Sequence, residues 1–319
     1  MANRELVVGR LSAQPGEKKA GIQEIIVHGE PYGFSMFLIN GKADGPTLVV
    51  TAGIHGAEYA SIAAALDFGR RLQPDALRGR VIIVPVVNMP AFQARSIYVC
   101  PLDGVNLNRV FPGKADGSPT EQIADWVFQN VIKPADYYVD LHGGDLVEAL
   151  VPFTIYPRTG NARVDNASLE MAKAFGIRYL VRSDATGGST YATAAHAGIP
   201  AILTESGAQG LWSPEAVVLH TNGLNRLICD LGMLTDVVLE SLPFTLIDQF
   251  IWLQSEHAGF WYPKTTVDEM VHQGQDLGYV MDFQGNILQS VQSPADGRVL
   301  FLVSSLAINQ GDPLLAIGA

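Results

Sequence analysis

Two histidines and a glutamate stand where they could hold a metal ion. His55 and Glu58 lie in Gly53-Ile54-His55-Gly56-Ala57-Glu58, and His142 lies in Asp140-Leu141-His142-Gly143-Gly144. Two imidazoles and one carboxylate make a catalytic zinc set, with the fourth position left for water. Structural zinc sites usually close with cysteine, and this chain has only Cys100 and Cys229. Either histidine alone could be an ordinary strand-end residue, with Glu58 simply favouring a helix N-terminus. Together, each beside glycine after an apolar run, they point to a metal.

Those runs define the elements that must position the site. Thr47-Leu48-Val49-Val50-Thr51 precedes the first group and Tyr137-Tyr138-Val139 the second. Both read as buried parallel strands, whose carboxyl ends are the ligand edge of an open α/β sheet. His55 falls in the loop after the first strand, and Glu58 in the first turn of a helix expected over 57–72. Gly53 and Gly56 allow a tight turn there. Further along, Val81–Val87 is fully apolar, as central parallel strands are. Helices are expected at 119–132, 166–175, 189–197 and 214–231, and strands at 137–141, 178–181 and 199–204. Residues 22–40 alternate like an edge hairpin. This alternation predicts an α/β fold with a mostly parallel sheet.

The last ~80 residues read differently. Turn signals recur at 257–259, 272–275, 283–286, 294–297 and 309–312, with short apolar runs between them, which describes an all-β module. The expected division is a catalytic domain at 1–240 and a C-terminal β-domain at 241–319. The tail resembles the β-sandwich of biotinyl and lipoyl carrier domains. Its one lysine, Lys264, is not at a hairpin tip, so no covalent cofactor is expected.

Composition narrows the partners. A net charge of −11 over 319 residues argues against a general nucleic-acid binder. The polar N-terminus lacks a signal-peptide core, and no stretch is apolar enough for a membrane helix. With two cysteines that make no disulfide framework, a cytoplasmic protein is the expectation. Homo-oligomerisation stays open.

Other polar groups fall at the same edge. Asn108 and Arg109, in a polar loop, suit a substrate carboxylate, because guanidinium offers it paired donors. Arg95 could polarise a scissile carbonyl. Glu205 follows the apolar run 199–203 and could serve as general base, with Asp140 or Glu148 next in line. Asp140 could accept the free N–H of a metal-bound His142. The Gly187-Gly188 loop has no assigned role. His196, His220, His257 and His272 read as ordinary surface or core histidines.

Taken together, these motifs resemble the succinylglutamate desuccinylase/aspartoacylase family, a branch of the zinc carboxypeptidase fold. They are Gly-x-His-Gly-x-Glu at 53–58, Asn-Leu-Asn-Arg-x-Phe-Pro-Gly at 106–113, Asp-Leu-His-Gly at 140–143 and Glu-x-Gly at 205–207. The resemblance implies a mixed or mostly parallel sheet with flanking helices and a small C-terminal β-domain. It implies one Zn2+ per chain on His55, Glu58 and His142, with Glu205 as general base and acid. It places the substrate carboxylate on Asn108 and Arg109 and an oxyanion-stabilising arginine at Arg95. A site tyrosine of some relatives could be Tyr262 or Tyr279. The implied activity is hydrolysis of a small N-acyl amino acid, with acyl group and amino acid unspecified. The alternatives are a peptide-trimming zinc carboxypeptidase and a non-catalytic binding protein on this fold.

Overall fold

The apolar runs become central strands because both of their faces are covered. In the computed structural model, which describes residues 4–234 and 240–319, Leu48, Val50 and Ala52 pack into one core and Val49 into another. This is the period-2 alternation of a strand sandwiched between layers. Nine strands form the main sheet, in the spatial order Thr245–Ile247, Tyr179–Ser183, Phe153–Pro157, Ala201–Glu205, Tyr137–His142, Ala43–Ala52, Arg78–Val84, Glu30–Asn40 and Lys18–Val27. Pairing is parallel except where Phe153–Pro157 meets Ala201–Glu205 and along the hairpin edge. The sheet is therefore mixed.

Helices Tyr59–Arg71, Ala162–Phe175 and Pro214–Asp230 cover one face. Pro119–Val127 and Thr190–His196 cover the other. The first of these helices is alanine-rich. It buries Ala60, Ala64, Ala65 and Phe68 on one stripe and ends on Arg70 and Arg71, which suit the negative end of the dipole.

The turn-rich tail forms two antiparallel sheets around their own core. Its separation from the rest is incomplete. Thr245–Ile247 pairs with Tyr179–Ser183 in the main sheet, and Glu148–Leu150 pairs with Gly297–Val303 in the tail. Leu150, Phe153 and Tyr179 pack with Ile247 and Leu300 in a shared core. No described helix is long and apolar enough to cross a membrane.

Several elements differ from expectation. The helix expected from residue 57 starts at Tyr59, and Glu58 is its N-cap, with φ −85° and ψ 68°. Its carboxylate makes no capping hydrogen bond because both oxygens are engaged by histidines. The strand Phe153–Pro157 and the short helix Met89–Ala94 were not expected. Prolines within or beside both segments obscure their periodicity.

Candidate active site

Strand register builds the site. On Tyr137–His142, alternation puts Tyr138, Asp140 and His142 on one face, with Val139 and Leu141 on the other. The neighbouring strand runs parallel with Ala201 opposite Tyr138, Leu203 opposite Asp140 and Glu205 opposite His142. On the other side Thr51 lies opposite Asp140. The carboxyl ends of three parallel strands thus deliver His142, Glu205 and the 53–58 loop to one place.

The loop reaches that place through its glycines. Gly53 has φ +64°, in the left-handed region. At Gly56 an added Cβ would sit 2.1 Å from the Phe92 amide nitrogen, so only glycine fits. The turn returns His55 and Glu58 to the end of the Tyr137–His142 strand.

There His55, Glu58 and His142 converge, each offering a ligand atom, all within 4.8 Å of one another. Nδ1 of His55 is 2.6 Å from Glu58 Oε1, and Nδ1 of His142 is 3.0 Å from Glu58 Oε2. The far nitrogens are held from outside. His142 Nε2 is 2.9 Å from Asp140 Oδ2, and His55 Nε2 is 3.2 Å from Asn106 Oδ1. With each Nε2–H donating outward, both Nδ1 atoms are left as acceptors facing Glu58, the tautomer that metal ligation requires. Asp140 also accepts from the hydroxyls of Thr51 (2.7 Å) and Thr190. The residues fit a cation: two neutral nitrogens and a carboxylate, oriented in advance and buried.

Electrostatics agree. Burial opposes a charged Glu58, but the two imidazoles outweigh it and hold the carboxyl at about 2. Burial likewise opposes protonated His142, and the carboxylates of Glu58 and Asp140 outweigh that, raising it well above the usual histidine range. The negative charge of Glu58 and Asp140 around the two imidazoles thus favours a positive charge at this place.

Glu205 differs from these three residues. Its Oε2 is buried with no hydrogen-bond partner. Burial, then the charges of Glu58, Glu148 and Asp140, push its pKa well above the carboxylate range against the pull of His142. It lines a cleft of about 790 Å³ together with the three-residue cluster.

Asn108 and Arg109 line the same cleft, in a short 3-10 turn. Asn108 Oδ1 accepts from the Thr190 amide at 3.1 Å, so its Nδ2 is the donor left for a ligand. Arg109 Nη1 donates to the Asn108 carbonyl at 2.9 Å. Arg95 is not brought into the group. It is exposed, at the end of Met89–Ala94 with φ 54°, and does not line the cleft. Tyr262 and Tyr279 stack on each other in the tail, with centroids 5.2 Å apart, away from the cleft.

Four further residues, none given a role from sequence, stand in or behind the site. Asn106 holds His55. Thr190, after the unassigned Gly187-Gly188 loop, holds both Asp140 and Asn108. Tyr98 enters the cleft from a left-handed backbone position, φ 59°, with its amide fixed by buried Asp145 at 2.9 Å. His220 is fully buried, with Nε2 3.0 Å from the His142 carbonyl and Nδ1 3.2 Å from the Thr204 hydroxyl. Asn106 stood inside a recognised motif. The other three carried no local signal.

The tail closes one side of the cleft with Phe250, Trp252, Phe301 and Pro313. These side chains line the cleft on the side away from the Asn108-Arg109 turn's own domain and narrow it there.

The succinylglutamate desuccinylase/aspartoacylase catalytic-domain model matches residues 44–229, and the chain belongs to that family. It is a hydrolase of N-acyl amide bonds in small acylated amino acids. It is 32% identical over 284 residues to the N-alpha-acetyl-L-2,4-diaminobutyric acid deacetylase of Halomonas elongata, covering 86% of this chain and 83% of that one. Among solved structures it resembles the product-bound ectoine utilization protein EutE (DoeB) from Ruegeria pomeroyi. That match has a TM-score of 0.87 and 25% identity over 99% of each chain. A succinylglutamate desuccinylase from Silicibacter sp. TM1040 matches at TM-score 0.85 and 26% identity, over 96% of this chain and 95% of that one.

Proposed function

We propose that this chain is a zinc-dependent deacylase acting on a small N-acetylated diamino acid, with 2,4-diaminobutyrate as the first amine to test. The observation that carries the hydrolytic half is Glu205, whose buried, unpartnered oxygen shares the cleft with the His55–Glu58–His142 group. The substrate half is supported by the relative from Halomonas elongata and by the walled cleft.

Zinc held by His55, Glu58 and His142 would supply a Lewis acid for the acyl carbonyl and make water more acidic. Asp140 and Asn106 keep the two imidazoles in the ligating tautomer. Asn108 Nδ2 and the Arg109 guanidinium bind the α-carboxylate and orient the amide over the cluster. Glu205 takes the proton of the attacking water at Oε2. Its raised pKa lets it keep that proton and then return it to the departing nitrogen. The products are a carboxylic acid and a free amino acid. Arg95, exposed and outside the cleft, receives no role in this scheme.

The aromatic wall of the tail speaks against a peptide-trimming carboxypeptidase, and the retained Glu205 speaks against a non-catalytic binder. We assign the reaction to the cytoplasm, which suits two free cysteines.

The test is a panel of N-acetyl, N-succinyl and longer N-acyl amino acids, assayed for released amine with zinc content measured alongside. Expected are about one zinc per chain and hydrolysis fastest with short acyl groups. A fully zinc-loaded protein that leaves the whole panel intact would contradict the proposal.

A further inference from the structure

Four acidic side chains other than the proposed zinc ligand Glu58 line the cleft: Glu148, Asp184, Glu205 and Asp248. Two are already paired. Asp184 meets Arg158 at 2.6 Å, and Asp248 meets Arg182 at 2.8 Å. Glu205 is the proposed base. Glu148 remains, and the mechanism does not use it.

Its setting is specific. Glu148 begins the strand that joins the tail sheet, directly after the Leu146-Val147 turn and six residues after His142. One oxygen, Oε2, is fixed by the Asp145 amide at 2.8 Å, and the Glu148 amide returns a bond to the Asp145 carbonyl at 2.9 Å. These bonds hold the half-buried carboxylate against the cleft wall. Tyr98, whose amide the same Asp145 holds at a left-handed backbone position, hydrogen-bonds its phenol to Glu148. Among the described residues no lysine or arginine pairs with it. A carboxylate pinned at a substrate cleft without a basic partner is a receptor for a cation that arrives from outside. Consistently, burial lifts its pKa to about 7, and an incoming ammonium would lower it.

We propose that Glu148 receives the side-chain ammonium of the substrate, so that the cleft selects N-acyl diamino acids over N-acyl amino acids with uncharged side chains of the same length. This rests on the deacylase function proposed above and adds what distinguishes one amine from another. With the α-carboxylate held at Asn108 and Arg109 and the amide over the metal cluster, the side chain is the third point of attachment. A pinned carboxylate at that point fixes both its length and its charge. A neutral isostere would leave Glu148 with only the Asp145 amide and the Tyr98 phenol and no counter-charge, so the ion pair that separates the two substrates is lost.

The experiment compares N-acetyl-2,4-diaminobutyrate with N-acetylnorvaline, in which a methyl replaces the ammonium. Wild-type, E148Q and E148D proteins are assayed zinc-loaded. Calorimetric binding of the free products, 2,4-diaminobutyrate and norvaline, is measured on the same preparations. Wild type should favour the diamino substrate by about 30-fold or more in kcat/KM. E148Q should bring that ratio close to one, and E148D, which keeps the charge, should retain a clear preference. An unchanged ratio in E148Q overturns the assignment. So does a parallel loss on both substrates in E148Q and E148D, which would make Glu148 part of the chemistry or the fold. If wild type hydrolyses neither compound, the deacylase function fails, and binding decides the subsite separately. Preference for 2,4-diaminobutyrate that disappears in E148Q upholds it, and equal binding of the two products ends it.

Discussion

Arg109 carries its charge into the cleft with no acidic partner among the described residues. A guanidinium kept free in this way suits a carboxylate that comes and goes with substrate. Arg109→Lys retains the charge and loses the paired donors, so KM for N-acyl amino acids should rise about tenfold with kcat changed far less. Steady-state kinetics across two or three substrates check this, and an unchanged KM would make the residue structural. The site was legible in sequence only where its parts were local. His55 and Glu58 sit in one hexapeptide, and Asp140 and His142 are two residues apart on one strand face, so both groups have a spacing that can be read. Asn106, Thr190 and Tyr98 reach the site through pairings of 51, 50 and 47 residues in sequence. Asn106 at least lies in the Asn-Leu-Asn-Arg motif, whereas nothing around Thr190 or Tyr98 marks them. Arg95 shows the converse: its place upstream of the Asn-Arg pair suggested a role, but a left-handed helix end leaves it in solvent.

At the scale of elements, one helix fastens the ends of two strands. His220, on Pro214–Asp230, donates from Nε2 to the His142 carbonyl, and its Nδ1 meets the Thr204 hydroxyl next to Glu205. The strand carrying His142 and the strand carrying Glu205 are thereby tied together behind the cleft. Burial holds this imidazole to about 4, below its usual 6.5, against the pull of the carbonyls it faces. Between those values the unfolded chain binds a proton that the native chain refuses. Stability contributed by neutral His220 is therefore complete above about pH 6.5 and drains away as pH falls toward 4. By pH 5 the loss is roughly 2 kcal/mol. Urea unfolding at pH 7 and pH 5 should show a larger acid-side loss for wild type than for His220→Gln, which does not titrate. Equal losses would place the acid sensitivity elsewhere. In sequence this histidine was one among several, because a helical position says nothing about which carbonyl lies beneath it.

Over the whole molecule, the strand–helix alternation and the turn-rich tail were legible because each follows a local period. Their interleaving was not, because pairing between strands as far apart as Tyr179 and Thr245, or Leu150 and Phe301, leaves no mark on either segment. Glu148–Leu150 lies in the tail sheet, Thr245–Ile247 lies in the main sheet, and Leu300 packs against Phe153. We propose that the division near residue 240 separates two parts that fold as one cooperative unit. Calorimetry should show one unfolding transition for the full chain, and a chain cut after residue 240 should lose activity. Two well-separated transitions, or a truncated chain with full zinc and turnover, would contradict this. The same interleaving brings the aromatic wall and Glu148 into the cleft that His55, Glu58 and His142 line, so the tail helps define what the cleft accepts.

The central claim is that Glu205 moves the proton while His55, Glu58 and His142 hold the metal. Glu205→Gln keeps the size of the side chain and removes the oxygen that accepts the proton. Zinc content and kcat, measured on one preparation of this variant with the best substrate of the panel, test the division of labour directly. The account predicts zinc equal to wild type, KM little changed and kcat lower by about 10²–10⁴. Loss of zinc would make Glu205 a ligand, and near-normal turnover with full zinc would put the base elsewhere. Either result contradicts the account.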